Sequence, residues 1–142
     1  MKKLQGNRQG FTLIELMLVV IIIATLAALV LPKFSGQSEA AKVAATNSQI
    51  NSLFSTALGM YEVQNGNYPT TEQGLEALRI RPSTPPEPIN WKGPYLEKDV
   101  PLDPWGKPYK YVCPGIHNPD GYDLSSFGPD GQEGTADDIV SW

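Results

Sequence analysis

One apolar run near the N-terminus limits what this chain can fold into. Phe11 to Leu31 form a stretch of 21 residues that contains a single charged residue, Glu15. A helix of that length is about 31 Å long, and the hydrocarbon core of a bilayer is about 30 Å thick. The run therefore predicts a membrane-spanning helix over residues 11–31.

Charge is distributed unevenly around this run. Residues 1–10 contain three basic residues and no acidic residue, whereas 8 basic and 15 acidic residues follow Gly10 and give that part a net charge of −7. Because basic residues flank a span on its cytoplasmic side, we expect a cytoplasmic N-terminus and an acidic domain across the membrane. An acidic domain also argues against a nucleic-acid-binding protein, which would carry a basic face.

A removed secretory signal peptide is the alternative interpretation of the run. The apolar region of such a peptide is usually about 7–15 residues long and ends at a small-x-small cleavage site. The run here is longer, and Pro32, Lys33 and Phe34 follow it directly. These features favour a helix that the mature chain retains.

Glu15 is unusual because it places a carboxylate within the apolar run. An acid at the centre of a membrane helix costs about 2.5–3.5 kcal/mol, and less near the helix ends. Cleavage between Gly10 and Phe11 would make Glu15 the fifth residue, in the first turns, where the helix dipole favours negative charge. The new α-amino group of Phe11 would then be a positive partner within the same subunit or a neighbouring one. The alternative is a carboxylate that extends to the membrane interface.

The sequence GFTLIEL, from Gly10 to Leu16 after a short basic leader, resembles the type IV filament superfamily of pilins, pseudopilins and competence pilins. The resemblance implies cleavage by a prepilin peptidase after Gly10 and N-methylation of the Phe11 amine. It also implies that Glu15 acts in subunit docking and register, and that a locally unwound stretch accompanies Pro32 in the assembled filament. Residues 1–10 are then the leader peptide.

Helical periodicity resumes after the apolar run. Apolar residues recur at intervals of three, four and seven and form one face of an amphipathic helix, namely Val43, Ile50, Phe54, Ala57 and Tyr61. We predict one helix over residues 11–64, in which residues 32–64 form an amphipathic stem with a kink at Pro32. The alternative is a helix that ends at Leu31. Gly66 suits a left-handed cap at the C-terminal end.

Residues 65–142 are predicted to form a small head. The patterns indicate a short helix, two antiparallel strands joined through a turn, and a strand-like C-terminal segment: Thr71–Leu78, Lys107–Val112, Tyr122–Phe127, the turn at residues 118–121, and residues 139–142. We expect Trp91, Trp105 and Trp142 to pack the core of the head. The fold class is therefore α+β, with a long N-terminal helix packed on a small antiparallel sheet with extended loops.

Two stretches of the head indicate which family within this superfamily the chain resembles. The segments NGNYPTTEQGLEAL and GPYLEKDVPLDPWGKPYKY are similar to the general secretion pathway protein G family. This resemblance implies a major pseudopilin, a homopolymer that forms the periplasmic pseudopilus of a type II secretion system and drives export of folded proteins through the outer membrane. The implied partners are minor pseudopilins, the prepilin peptidase and an inner-membrane assembly platform. The implied location is a single pass through the bacterial inner membrane, with a periplasmic head.

An acidic, glycine-rich segment covers residues 127–138, FGPDGQEGTADD, which we call the acidic loop. Clustered carboxylates repel each other unless a cation lies among them, and Ca²⁺ takes about six to eight oxygen ligands. Asp130, Asp137 and Asp138 offer carboxylates, and the carbonyls of Phe127 and Gln132 offer further oxygens. The spacing differs from that of an EF-hand. An exposed, solvated loop is the alternative, whereas the family resemblance implies a calcium site.

A bound metal would also stabilise a head that buries little apolar surface for its size. Cys113 is the only cysteine, so it forms no disulfide within the chain. It is either buried as a small apolar residue or paired between chains.

The residues give no sign of catalysis. His117 is the only histidine, and it lies beside a turn where we expect it to be solvated. We therefore predict that the chain is not an enzyme. The alternatives are a type IV pilin or competence pilin, a minor pseudopilin, and a membrane-anchored hydrolase that uses the acidic cluster.

Overall fold

The structure, a computed structural model, describes the backbone of residues 11–142 and the side chains of residues 11–26 and 38–142. The predicted leader with Gly10, and the side chain of Pro32, lie outside the described residues. A boundary between Ser38 and Glu39 divides the chain into two units. The second unit contains the head.

The N-terminal helical region consists of three consecutive segments. Helix α1 covers Leu13–Ser48, a π-helical turn covers Gln49–Phe54, and helix α2 covers Ser55–Asn65. The backbone is helical at position 32, so the alternative in which the helix ends at Leu31 is wrong. Among the described residues, no helix has both the length and the apolarity needed for a membrane crossing.

Gly66 ends the helical region with a left-handed conformation, at φ 82°. Its N–H donates to the Glu62 carbonyl at 2.7 Å, which satisfies one of the free carbonyls at the helix end. The predicted left-handed cap is thus confirmed. The π turn was not predicted, because α- and π-helical turns give nearly the same apolar spacing over a few residues. Gln49, the first residue of this turn, accepts a hydrogen bond from the Tyr109 hydroxyl.

The head contains a three-stranded antiparallel sheet in the order β1-β2-β3. Strand β1 is Lys110–Val112, β2 is Asp123–Ser126 and β3 is Ile139–Val140. Tyr111 pairs with Leu124, and Ser126 pairs with Ile139. The predicted pairing is confirmed, but β1 begins three residues later than predicted. Pro108, which lacks an N–H donor, lies within the predicted strand.

The short helix of the head is also shorter than predicted. It is a single 3₁₀ turn over Leu75–Leu78, and residues 71–74 form a hydrogen-bonded turn before it. Gly74 has φ 61° and ψ −169°, a conformation that no helical residue adopts, so the helix cannot extend back to Thr71.

One face of the stem packs against the sheet and the 3₁₀ turn to form the core. Its fully buried large side chains are Ile50, Phe54, Leu58, Tyr61, Leu78 and Leu124. Trp91 and Trp105 are partly buried against this core, as predicted, and so is Cys113. Burial raises the pKa of the Cys113 thiol, and its Sγ donates to the Gly121 carbonyl at 3.4 Å.

One prediction about the side chains of the head is wrong, because Trp142 is 49% exposed and lies outside the core. His117 is exposed, as predicted. Its ring also stacks on Trp142 at 4.0 Å between centroids, and its Nδ1 lies 3.0 Å from Asp123 Oδ2. The chain path after β1 fixes this position, since the N–H groups of residues 116–118 all donate to the buried Asp123 carboxylate.

Candidate metal-binding loop and assembly segment

The acidic loop, residues 127–138, connects β2 to β3, and its two ends are held together by the sheet. The pairing of Ser126 with Ile139 joins the residues on either side of the loop. Just inside it, Gly128 has φ 60°, and a Cβ built on Gly128 would lie 2.3 Å from the Asp137 carbonyl oxygen. Only glycine allows this close approach, which brings the start of the loop against its acidic end.

All three predicted carboxylate ligands accept hydrogen bonds from backbone N–H groups of the loop. Asp130 Oδ1 accepts from Gln132 at 2.8 Å, and Asp138 Oδ2 accepts from Gly134 at 2.7 Å. Asp137 Oδ2 accepts from the Asp130 N–H at 3.3 Å. The hydrogen bond from the Thr135 hydroxyl, together with the bond from the Asp130 N–H, lowers the pKa of Asp137 below its usual value. Asp137 is therefore ionised at neutral pH.

Thr135 is a further candidate site residue, which the sequence analysis missed. Its Oγ1 lies 2.7 Å from Asp137 Oδ1, 3.2 Å from the Gln132 carbonyl oxygen and 3.5 Å from Asp138 Oδ1. A hydroxyl has one proton to donate, so it satisfies only one of these three oxygens at a time. The remaining oxygen–oxygen contacts are repulsive, and a cation would relieve them.

The structure brings the predicted ligands together only in part. The carboxylates of Asp137 and Asp138 and the Gln132 carbonyl lie around Thr135, whereas the Phe127 carbonyl accepts from the Gly131 N–H at 3.1 Å. In the described residues, no group of three or more His, Cys, Asp or Glu side chains is arranged to hold a metal. The donors are nevertheless hard oxygen atoms, the type that Ca²⁺ prefers, so their chemistry fits this ion.

Two lysines that the sequence analysis did not consider reach this loop. Lys107 Nζ donates to the Gly131 carbonyl at 3.3 Å. Lys110, on β1, forms an ion pair with Glu133. Glu133 is thereby paired with a lysine, whereas among the described residues the three aspartates have only N–H and hydroxyl donors as partners.

The candidate assembly residue Glu15 lies in the first turn of α1. The Thr12 N–H donates to Glu15 Oε2 at 3.4 Å, and the Glu15 N–H donates to Thr12 Oγ1 at 3.3 Å. This reciprocal pair is a capping box, the arrangement expected when threonine precedes glutamate by three residues at a helix start. The sequence analysis missed Thr12, although its spacing from Glu15 was readable. Phe11, the candidate first residue of the mature chain, is exposed beside this turn.

Comparison with known proteins places both segments in recognised families. The family described as type II secretion system (T2SS), protein G matches residues 33–142, and the prokaryotic N-terminal methylation motif matches residues 5–31. The chain belongs to the type II secretion system protein G family. The first match contains the acidic loop, and the second contains Gly10, Phe11 and Glu15.

Individual members of the protein G family agree with this assignment. The chain is 48% identical over 140 residues to type II secretion system core protein G of Pseudomonas aeruginosa, covering 96% of each chain. It is 47% identical over 136 residues to core protein G of Escherichia coli K12, covering 96% of this chain and 92% of that protein. The solved major pseudopilin of the type 2 secretion system of enterohaemorrhagic E. coli superposes with a TM-score of 0.66 at 39% identity, over 76% of this chain and 92% of that one.

These comparisons confirm several predictions. The chain is a protein G pseudopilin of the major type, its fold is the α+β pilin-like fold, and its family is structural and not enzymatic. The alternatives of an ordinary type IV pilin, a competence pilin and a hydrolase are therefore set aside.

Proposed function

We propose that this chain polymerises into the periplasmic pseudopilus of a type II secretion system, whose growth drives folded proteins through the outer membrane. The observation that carries the proposal is the apolar N-terminal segment, where the large apolar side chains between Phe11 and Leu26 are 46–79% exposed. So much exposed apolar surface requires a bilayer or neighbouring subunits to cover it. In a homopolymer, the same segments of other subunits replace the lipid.

The N-terminal segment is proposed to mature in the inner membrane. A prepilin peptidase cleaves after Gly10, and the new amine of Phe11 is methylated. The methylation motif over residues 5–31 supports both steps. The basic leader supports a cytoplasmic N-terminus, and the chain crosses the membrane once over residues 11–31, with the head in the periplasm.

Glu15 is proposed to set the register between subunits. Its position in the first turn of α1 holds its carboxylate close to the start of the mature chain. The Phe11 amine of a neighbouring subunit is the cationic partner, and this pairing admits one axial position per subunit. Pro32 is proposed to allow the helix to open locally when subunits enter the filament.

The acidic loop is proposed to bind Ca²⁺ through Asp130, Asp137 and Asp138, together with the carbonyls of Phe127 and Gln132. The oxygen cluster around Thr135 supports this assignment and adds the Thr135 hydroxyl to the residues that surround the ion. A bound Ca²⁺ supplies positive charge that neutralises the carboxylates. The aspartates then hold the end of the loop, and with it β3, against β2.

Further partners follow from the same proposal. Minor pseudopilins join the homopolymer, and an inner-membrane assembly platform adds the subunits. Membership in the protein G family supports both.

The test is N-terminal sequencing and mass spectrometry of the full chain, extracted from the membranes of cells that express the rest of the secretion system. We expect a chain that begins at methylated Phe11 and, on overproduction, filaments in electron micrographs. A Gly10→Asp variant should remain unprocessed and form no filaments, whereas the neighbouring change Gln9→Asn should behave as wild type. A mature chain that begins beyond Leu31 would refute the proposal.

A further inference from the structure

The turn at residues 103–107, which we call the bridging turn, is closed by the side chain of its first residue. Asp103 Oδ1 accepts hydrogen bonds from the N–H groups of Trp105 at 3.1 Å and Lys107 at 2.8 Å. The Asp103 N–H donates to the Lys107 carbonyl at 2.8 Å. Asp103 is only 4% exposed, so the turn is fixed from inside the head and does not move as a free surface loop.

The bridging turn reaches the acidic loop through Ser126, the last residue of β2, and directly through Lys107. The Ser126 hydroxyl, which is fully buried, donates to Asp103 Oδ2 at 2.6 Å and accepts from the Gly128 N–H at 3.3 Å. Lys107 Nζ reaches the Gly131 carbonyl at 3.3 Å. Ser126 therefore holds the start of the acidic loop on one side and Asp103 on the other.

The same turn contacts the stem through its tryptophan. Trp105 Nε1 donates to Glu39 Oε2 at 3.0 Å. Glu39 Oε1 accepts from Lys42 Nζ at 3.0 Å, and that ammonium lies 5.9 Å from the centroid of the Trp105 ring. One tryptophan thus binds to the first turn of the stem within the second unit.

We infer that the bridging turn couples cation binding in the acidic loop to the order of the stem around Glu39. The inference rests on the proposed calcium site. Without a cation, the oxygens around Thr135 repel each other and the loop samples several conformations. With a cation, Gly128 and Ser126 are fixed, Asp103 keeps all its hydrogen bonds, and Trp105 stays against Glu39.

The burial of Asp103 explains why a displacement of Ser126 also displaces the bridging turn. Asp103 is a buried carboxylate, and in the described residues its Oδ2 has the Ser126 hydroxyl as its donor, so losing that bond leaves Oδ2 without a partner, away from water. A shift of Ser126 therefore moves Asp103, and Asp103 moves the Trp105 backbone to which it is bonded. A ligand that orders one segment in this way also orders the segment coupled to it.

Coupling between two sites is reciprocal in free energy. Loss of the contact between Trp105 and Glu39 must therefore weaken cation binding in the acidic loop, although neither residue is a proposed ligand. A residue with a merely structural role in the stem would not produce this effect.

Hydrogen exchange measured by mass spectrometry on the full chain in detergent micelles tests the coupling, with calcium or with a chelator. In the wild type, we expect calcium to slow exchange in the stem peptide over residues 39–49 by about 5-fold or more, a typical coupling. Trp105→Phe removes the indole donor, so the calcium effect should fall below about 2-fold while calorimetry still shows calcium binding, several-fold weaker. Trp142→Phe, the same change at a tryptophan outside the turn, should respond like the wild type.

A second variant tests the same contact in case Trp105→Phe misfolds. Glu39→Ala changes an exposed side chain and removes the acceptor, so it should reproduce the reduced calcium effect with a folded head. If the wild type binds calcium but hydrogen exchange in the stem is not slowed, the coupling is wrong and the metal site is unaffected. The same conclusion follows if calcium slows stem exchange in Trp105→Phe as much as in the wild type. No calcium heat in the wild type would overturn the metal site and the coupling together, leaving N-terminal processing unaffected.

Discussion

Gly128→Ala tests whether the two ends of the acidic loop meet as closely as the structure indicates. The new Cβ would lie 2.3 Å from the Asp137 carbonyl oxygen, and the backbone at Gly128 has φ 60°. A left-handed conformation costs an alanine about 1–2 kcal/mol. The blocking atom belongs to the backbone next to the paired strand β3, so it cannot move aside cheaply, and steric overlap adds about 1–3 kcal/mol.

Gly134→Ala is the matched control for this substitution. Gly134 has φ 85°, and a Cβ there would meet no atom within 4 Å. The control therefore carries the conformational cost alone, about 1–2 kcal/mol. The difference between the two variants isolates the contact with Asp137.

The assay is urea unfolding of the full chain in detergent micelles at neutral pH, followed by tryptophan fluorescence, in a chelator. We expect Gly128→Ala to lower the free energy of unfolding by about 2–5 kcal/mol, and Gly134→Ala by the smaller conformational cost. Because the proposed ligand Asp137 is displaced, Gly128→Ala should also bind calcium more weakly in calorimetry. Equal losses of stability in the two variants would refute the close approach of the loop ends.

Three further predictions concern single carboxylates. Asp137→Ala should lower the melting temperature when calcium is present and change it little in a chelator; equal melting of variant and wild type in calcium would contradict the metal site. Glu15→Val and Glu15→Gln should both insert and be cleaved yet form few filaments, because each lacks the charge that we propose to pair with the Phe11 amine. Ile14→Val is the control, and normal filaments from Glu15→Gln would show that the charge of Glu15 is not needed for assembly. Burial acts to raise the pKa of Asp123, but hydrogen bonds from His117 and its neighbours hold that pKa below the usual value. The ionised Asp123 carboxylate therefore stabilises the fold above the unfolded pKa, and this stabilisation is lost as the pH falls through the folded pKa. Asp123→Asn should accordingly lower the urea midpoint at pH 7 and match the wild type in strong acid. A lower midpoint that persists in acid would contradict the stabilising role of the Asp123 charge.

Local chemistry allowed much of the fold to be predicted. Gly66 follows the last helical residue with the left-handed φ that its sequence context suggested. The turn after β1 closes with a 3.0 Å hydrogen bond from the Gly121 N–H to the Asn118 carbonyl, as expected for a turn-forming sequence. Each of these features depends on residues within four positions of each other, which is the range over which sequence patterns are informative.

Features that depend on distant partners were missed. The hydrogen bond between Asp103 and Ser126 joins residues 23 positions apart, and nothing in the composition of either segment predicts it. The π turn at Gln49–Phe54 and the stacking of His117 on Trp142 likewise depend on what the folded head places beside them. In the acidic loop, the clustered negative charge of the aspartates predicted them as ligands. Thr135 is neutral, and only the structure shows that it contacts two of these aspartates.

The contacts of Glu15 bear on the order of the events that we propose for the N-terminus. In the single subunit its partner is the neutral Thr12 N–H, at a long 3.4 Å. A hydrogen bond from an ammonium group is roughly twice as strong as one between neutral groups, and more so where water is excluded. Under the proposed docking role, Glu15 therefore gains most from exchanging this capping contact for an amine in an apolar environment, between packed helices. On the same proposal, that amine exists at Phe11 only after cleavage behind Gly10. We therefore expect cleavage of the leader to precede assembly, because an uncleaved subunit would retain a carboxylate that no neighbour can neutralise in this way.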